Sequence, residues 1–528
     1  MRVLLINPFY PISETPSPPL GLAFLAGALK RAGSAVKMMD CVVFPYHRER
    51  LARLLETFKP HLVGATAVTM TVDNALEIIK DVKALDPSLI TVMGGPHATF
   101  CASEMLMSFP QVDIVVCGEG ETTLVALVRA IQKKAAWNSV PGIAFRNGRE
   151  ITVTPPPLPV DLNGLAQPDR SIIPLGRYLA LGMPISMTTS RGCPFKCIFC
   201  VGRKMVGAAV RYGHPKRIVD EMETLGRLGF HQINLADDLF TANRRHCVSV
   251  CSEILRRRLT TPWTAFARVD TVTREILEKM KQAGCTAVSF GVESGSPEML
   301  SRINKGITLD QVVHAVALCL ECGIAPHASF ILGLPGETRQ TLEETVAFGE
   351  RLRTMGAYHG FHILAPFPGT DVRQQIGEYD LQILSDDWRQ YHANRAIIRT
   401  RDVAPEDMDA IVIQAKQQFD GWLGDIGRRR DAGETRQEVL WPLIRLEHTV
   451  VLYDMMMKRL VEEKGRWLVD ITAGPPFSCV SELVRRVSDH LDHPLPRVEA
   501  AIDFAIAHGH LGHLVSDGRV RWSWVDYL

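Results

Sequence analysis

Thr189-Ser190-Arg191-Gly192-Cys193-Pro194-Phe195-Lys196-Cys197-Ile198-Phe199-Cys200 brings three cysteines into eight residues, separated by three residues and then two. A loop of this kind can wrap three thiolates around three irons of a 4Fe–4S cluster. Such a cluster needs four ligands, and no fourth cysteine follows nearby. One iron stays open for a ligand that is not protein, which makes a reaction site rather than a structural plug. A structural zinc site asks for four N or S ligands, commonly in CxxC pairs. The spacing here does not supply them.

With Arg191-Gly192, Pro194 and the aromatic Phe199 around it, the triplet resembles the signature of the radical SAM superfamily. The resemblance implies that the open iron binds the amino and carboxylate groups of S-adenosylmethionine (SAM). Reductive cleavage of SAM then gives a 5′-deoxyadenosyl radical that abstracts hydrogen. An external one-electron reductant of the flavodoxin or ferredoxin type follows from the same resemblance.

Upstream, residues 1–135 alternate strand and helix, with short strands at 2–7, 35–40, 62–67, 90–93 and 112–117. This alternation predicts an α/β, Rossmann-like, doubly wound parallel sheet. Ligands on such sheets sit beyond the strand carboxyl ends. Those ends carry Asn7-Pro8, Asp40, the Thr66–Thr71 stretch, Gly94-Gly95-Pro96-His97 and Gly118-Glu119-Gly120-Glu121. The Thr66, Thr69 and Thr71 loop followed by the Gly94-Gly95 turn resembles a cobalamin-binding domain, as does the opening Pro18-Pro19-Leu20-Gly21-Leu22. The resemblance implies cobalamin held at Thr66, Thr69, Thr71, Gly94, Gly95, Gly118 and Glu119. Many cobalamin proteins carry a DxHxxG motif after the second strand. This chain reads Asp40-Cys41-Val42-Val43-Phe44, and His47 is out of register. No protein histidine is therefore expected on cobalt.

Residues 136–180 read as a linker, with a stiff Pro155-Pro156-Pro157-Leu158-Pro159 run and a hairpin turning at Asn147-Gly148. Residues 181–395 repeat strand then helix six times, with strands at 185–189, 232–236, 263–268, 287–293, 325–332 and 360–365. The pattern predicts a partial (βα)6 barrel of the TIM type, whose reactive groups gather at the strand carboxyl ends. Asp237 or Asp238 there suits the SAM ammonium, and the planar fork of Arg268 suits its carboxylate. Glu293-Ser294 suits the ribose hydroxyls or the ammonium, and the backbone from Gly333 to Glu337 suits adenine. Gly291–Ser296 and Gly333–Glu337 resemble the matching stretches of radical SAM proteins. His327 and His362 are candidates to face the barrel mouth. Cys247, Cys251, Cys319 and Cys322 lie in helical runs and read as buried side chains.

Residues 396–528 are helical and end in two helices and a β-hairpin, a winged-helix-like order. The second helix, 497–507, carries little charge, so a substrate or interface role is expected there rather than DNA binding. Lys+Arg is 59 and Asp+Glu 58, a net charge of +1, which offers no bulk attraction for nucleic acid. No apolar stretch is long enough to span a bilayer. Residues 2–7 read as a first strand and not a signal peptide. Scattered cysteines outside the triplet point to a reducing, cytoplasmic setting.

Three function classes follow. The first is a cobalamin-dependent radical SAM methyltransferase acting on an unactivated carbon of a small molecule or peptide. The second keeps both cofactors without methyl transfer, as in anaerobic Mg-protoporphyrin monomethyl ester cyclases and rearrangement enzymes. The third is a non-enzymatic cobalamin-sensing regulator, which the intact strand-end stretches for SAM disfavour. A methylthiotransferase is disfavoured because Cys41, Cys101 and Cys117 lack that group's cluster motif. In either enzymatic class the Gly94-Gly95 turn and the cysteine loop should flank one cavity, with Arg268 and Glu293 on its SAM side.

Overall fold

The first strand, β1 (Arg2–Asn7), leaves none of Val3, Leu4, Leu5 and Ile6 more than 1% exposed. An unbroken apolar run is what a strand covered on both faces requires. β1 pairs in parallel with β2 (Ala35–Asp40) on one side and β3 (Leu62–Thr66) on the other. β4 (Ile90–Gly94) and β5 (Ile114–Val116) continue the parallel sheet. Helices Leu20–Arg31 and Gly120–Gln132 cover one face, against Val3, Leu5, Leu62 and Val92. Helices Arg48–Phe58 and Val72–Leu85 cover the other, against Leu4, Ile6, Val63 and Met93. The chain reverses direction of winding between β1 and β3, which opens a crevice at the strand carboxyl ends. The computed structural model describes residues 1–10, 17–468 and 479–525.

The linker assignment is corrected in part. Its hairpin, β6 (Ile143–Asn147) and β7 (Glu150–Val153), joins the first sheet antiparallel to β5, giving seven strands in the order β2-β1-β3-β4-β5-β6-β7. Arg146 fastens it by donating to the carbonyls of Leu106, Phe109 and Val112 at 3.0, 2.7 and 2.6 Å. The first sheet therefore runs to residue 153, past the expected boundary at 135.

The second sheet begins at β8 (Ile185–Met187). The single strand expected over 185–189 is two, because the chain turns off at Thr189 into β9 (Ser190–Arg191). β9 pairs antiparallel with β10 (Arg211–Tyr212), which clasps the two ends of the cysteine-bearing loop. β11 (Ile233–Leu235), β12 (Trp263–Ala267), β13 (Cys285–Glu293), β14 (Ala325–Leu332) and β15 (Tyr358–Ile363) follow. With β8 they form a six-stranded, all-parallel sheet in the order β15-β14-β13-β12-β11-β8. Amphipathic helices such as Pro215–Arg227 and Arg274–Gln282 cross between them, burying one stripe each.

An extension with a short antiparallel pair, β16 (Leu381–Ile383) and β17 (Ile398–Thr400), leads to helices Pro405–Asp431 and Gln437–Met457. The end of the chain runs helix Leu460–Lys464, β18 (Arg466–Leu468), helices Cys479–Ser488 and Leu495–Ala507, then β19 (Leu511–Ser516) and β20 (Arg519–Trp524). β18 pairs with β20 and adds a third strand to the expected hairpin. Residues 469–478 and 526–528 of this region lie outside the described residues. Among the described residues no helix is long and apolar enough to cross a membrane.

Candidate active site

Cys193, Cys197 and Cys200 lie on the loop clasped by β9 and β10, all as free thiols. Gly192 opens this loop at φ +115°, where a Cβ would sit 2.4 Å from the carbonyl oxygen of Ala209. Only glycine fits that combination. Gly202 N–H donates to Cys200 Sγ at 3.3 Å, and Cys197 Sγ donates to the Asn304 carbonyl at 3.8 Å. Burial pushes all three thiols up, while Lys305 and Arg268 pull Cys193 and Cys197 back down. Among the described residues no three His, Cys, Asp or Glu side chains converge on one ion. Three thiols on one loop, with Lys305 and Arg268 near enough to favour their charged form, suit an anionic cluster that places each cysteine on its own iron.

The carboxylates at the end of β11 divide the expected role. Asp237, 2% exposed, accepts from Thr189 N–H at 2.5 Å, Thr189 Oγ1 at 2.5 Å and Ser190 Oγ at 2.8 Å. It ties β11 to the start of the cysteine loop, and the assignment of Asp237 to the SAM ammonium is corrected. Asp238 is exposed, accepts from Gly192 N–H at 3.0 Å, and stands beside Gly202 and Cys200.

Arg268 is engaged within the chain. Its fork is spent on Asp270, at 2.9 and 3.0 Å, and on the Lys305 carbonyl at 2.9 Å. Its guanidinium lies 3.6 Å from the ring centroid of Phe195, inside the cysteine loop. Glu293, a non-glycine residue at φ 72°, accepts from Lys305 Nζ at 2.6 Å, with both side chains under 10% exposed. Ser294 is fully buried against Thr345 and accepts from Ser296 N–H, so it caps a turn and does not face a ribose. A Cβ on Gly333 would meet Ile398 and Met408, so the post-barrel extension covers this glycine. The Glu337 carboxylate accepts from Gly333 N–H, is 1% exposed, and closes the same turn. Burial pushes Glu337 up to about 7, and its Oε1 has no hydrogen-bond partner among the described residues.

In the N-terminal half, Thr66, Gly94, Gly95, Gly118 and Glu119 line one cavity of about 260 Å³. Gly95 sits at φ +92° with Ala67 O and Thr66 Oγ1 under 3 Å from its absent Cβ. The cavity runs inward between the sheet, at Leu5, Gly64, Ala65 and Val92, and the helices, at Leu22, Leu25 and Leu124. Thr69 and Thr71 are corrected, since both are buried and bond internally. Thr69 Oγ1 lies 3.3 Å from His97 Nδ1, and Thr71 Oγ1 is 3.2 Å from both Val68 N and O. Apolar walls, glycine-lined turns and a threonine at the rim fit the flat, ring-bearing end of a corrinoid.

The same cavity is lined by Arg191, Met205 and Val206, which flank the cysteine loop. The two strand-end faces thus meet at residues on either side of the cysteine loop, while Cys193, Cys197 and Cys200 themselves are not among the residues that line this cavity. Arg268 and Glu293 do not line it. Arg191 bridges Glu119 at 2.9 Å and Glu121 at 2.8 Å, and Arg211 takes the other oxygen of Glu119 at 2.8 Å. Glu119 is therefore a latch between the halves as well as a wall. A second latch sets Trp388 edge-on to His97, with ring centroids 5.0 Å apart. Sequence reasoning misses Lys305 and Arg211, and quotes Arg191 and Glu121 without giving either a role of its own.

His362 is exposed near the carboxyl end of the edge strand β15. His327 is third in β14, near its amino end, and stacks on Tyr358 at 5.0 Å, so its assignment to the barrel mouth is corrected. Cys247, Cys251 and Cys319 are fully buried.

Residues 13–128 match the B12 binding domain, and residues 187–349 match the radical SAM superfamily. The chain is 32% identical to an uncharacterized methyltransferase of Pyrococcus horikoshii over 79% of its own length and 92% of the relative's. It is also 32% identical to the anaerobic magnesium-protoporphyrin IX monomethyl ester cyclase of Rubrivivax gelatinosus, over 72% of this chain and 70% of that one. The radical SAM methyltransferase TsrM of Kitasatospora setae, solved with cobalamin and a 4Fe–4S cluster, superposes with a TM-score of 0.62 at 25% identity, covering 74% of this chain and 84% of that one. The cobalamin-dependent SAM radical enzyme OxsB shares the fold over 96% of this chain and 79% of its own, with a TM-score of 0.69 at 18% identity. By sequence, by domain order and by the two strand-end faces that meet at the cysteine loop, the chain belongs to the radical SAM superfamily, in the group that carries a B12-binding domain ahead of the radical SAM core.

Proposed function

We propose that the protein transfers a methyl group from SAM to an unactivated carbon of a small molecule or peptide. The observation that carries this reading is the cavity lined jointly by Gly94, Gly95, Arg191, Met205 and Val206, which brings the corrinoid cradle against the cluster loop. A cluster on Cys193, Cys197 and Cys200 supplies, with SAM, the hydrogen-abstracting radical, and cobalamin supplies a methyl carrier. The chain's own residues bind and orient. Thr66, Gly94, Gly95 and Gly118 present a rim with little side-chain bulk, and Leu5, Val92, Leu22, Leu25 and Leu124 exclude water behind it. Asp238, exposed beside Cys200, is left to meet the SAM ammonium. Lys305 and Arg268 offset the negative charge of the thiolates. His362, exposed near the carboxyl end of β15, is the candidate to act on substrate at the barrel mouth. A flavodoxin- or ferredoxin-type protein supplies the electron.

The methyltransferase name of the Pyrococcus relative supports this reading. The cyclase name of the Rubrivivax relative, at equal identity, supports the second reading, in which no methyl moves. One experiment separates them. Reconstituted protein, reductant, methyl-labelled SAM and a metabolite extract should give 5′-deoxyadenosine together with a labelled small-molecule or peptide product. 5′-Deoxyadenosine with no labelled product in any fraction overturns methyl transfer and favours cyclisation or rearrangement.

A further inference from the structure

A second cavity, of about 420 Å³, lies between the amino-terminal end of the barrel and the C-terminal helices. Leu181-Gly182, just before β8, and Gly229 and His231, just before β11, form one wall. The cysteine loop follows β8, so this cavity is at the opposite end of the barrel. The amino-terminal face of such barrels ordinarily serves stability, and a roomy, charged cavity there is unexpected. Its volume falls in the range of roughly 300–1,000 Å³ usual for small-molecule sites.

The lining is one-signed. It contains Arg227, Arg445, His231, His448, His508 and His510, and no aspartate or glutamate. These groups work against one another. Burial pushes His231 down and Arg445 adds to it, and burial together with His508 lowers His510 to about 4. Glu447 is the acid felt by His448, and its carboxylate is already held by Arg430 at 3.0 Å and Arg497 at 3.1 Å. His448 Nδ1 is buried with no hydrogen-bond partner among the described residues. The imidazoles do not converge on a metal ion among the described residues. The remaining walls are flat and apolar. Phe504 stacks near His448 and His508, with ring centroids 4.8 and 4.2 Å away, and Trp441 is 43% exposed.

We infer that this cavity binds a flat aromatic anion, with the ring against Trp441 and Phe504 and the charged end toward Arg227, Arg445 and His448. Paired guanidinium groups suit a phosphate or a carboxylate equally, so the source of the charge is left to the test. The full chain would be titrated calorimetrically with 1-naphthyl phosphate, 1-naphthoate, 1-naphthalenemethanol and inorganic phosphate. Saturable binding of either naphthyl anion, at least about tenfold tighter than the neutral alcohol or phosphate alone, supports the site, and the tighter anion names the source. Arg227→Ala should weaken that binding about tenfold. Arg227 is exposed at the last turn of helix Pro215–Arg227 and has no ion pair among the described residues, so the fold does not depend on it. Arg445→Gln should do the same, although Arg445 also donates to the Gly182 carbonyl. Failure of both anions to bind at millimolar concentration overturns the site, as does binding left unchanged by Arg227→Ala.

Discussion

Arg268 shows how a side chain at the right strand end can serve a different partner. Its place after β12 suggests a carboxylate clamp; its geometry holds Asp270 and covers Phe195 of the cysteine loop. Arg268→Ala should therefore lower the iron and sulfide content after reconstitution below the wild-type value of about four each. Unchanged iron with weakened SAM binding would restore the clamp. Glu337 gives a pH prediction. Burial raises it from the ordinary 4.5 to about 7, so the folded chain holds its proton more tightly than the unfolded one. The resulting stability is fully present below pH 4.5 and is lost as pH rises toward 7, by about 3 kcal/mol. Glu337→Gln should flatten that slope in denaturant titrations run across the same range. The three cysteines are legible in sequence because their spacing is local. Asp237 and Asp238 are not separable that way, since one residue of register decides which side chain turns inward. The partner that captures Asp237, Thr189, is 48 residues away.

At the scale of elements, the alternation of apolar runs and amphipathic stretches makes both parallel sheets readable. The hairpin at 143–153 is readable as a hairpin but not as part of the first sheet, because edge pairing depends on the exposed flank of β5. Gly64 was open to reading too, as a glycine within an apolar strand marks a close approach or a gap. A Cβ there would meet Leu5 and Val92 side chains at 3.7 and 3.9 Å, ordinary contact distances. Gly64→Ala should thus be tolerated, whereas Gly64→Leu should fill the cavity. Corrinoid uptake, followed by visible absorbance, should fall sharply in Gly64→Leu with iron content unchanged. Equal uptake by both variants would place the corrinoid elsewhere.

For the whole molecule, the charged latch between halves rests on Arg191, Arg211, Glu119 and Glu121, all largely buried. Removing one member of a buried pair leaves an uncompensated charge, at a cost of about 3–5 kcal/mol. Arg191→Met should lower the thermal midpoint and expose the Pro155–Pro159 run to limited proteolysis; an unshifted midpoint would remove the latch from this account. None of these pairings is foreseeable from sequence, since each joins an arginine of the barrel half to a glutamate of the N-terminal half. Arg191 is also a rung of the β9–β10 clasp and stands two residues before Cys193. One residue therefore acts as the pivot of a lever whose arms are the two domains. Any hinge rotation of the N-terminal half reaches the metal-bearing loop before it reaches the barrel wall, so domain motion and the electronic environment of the thiolates are mechanically geared to each other.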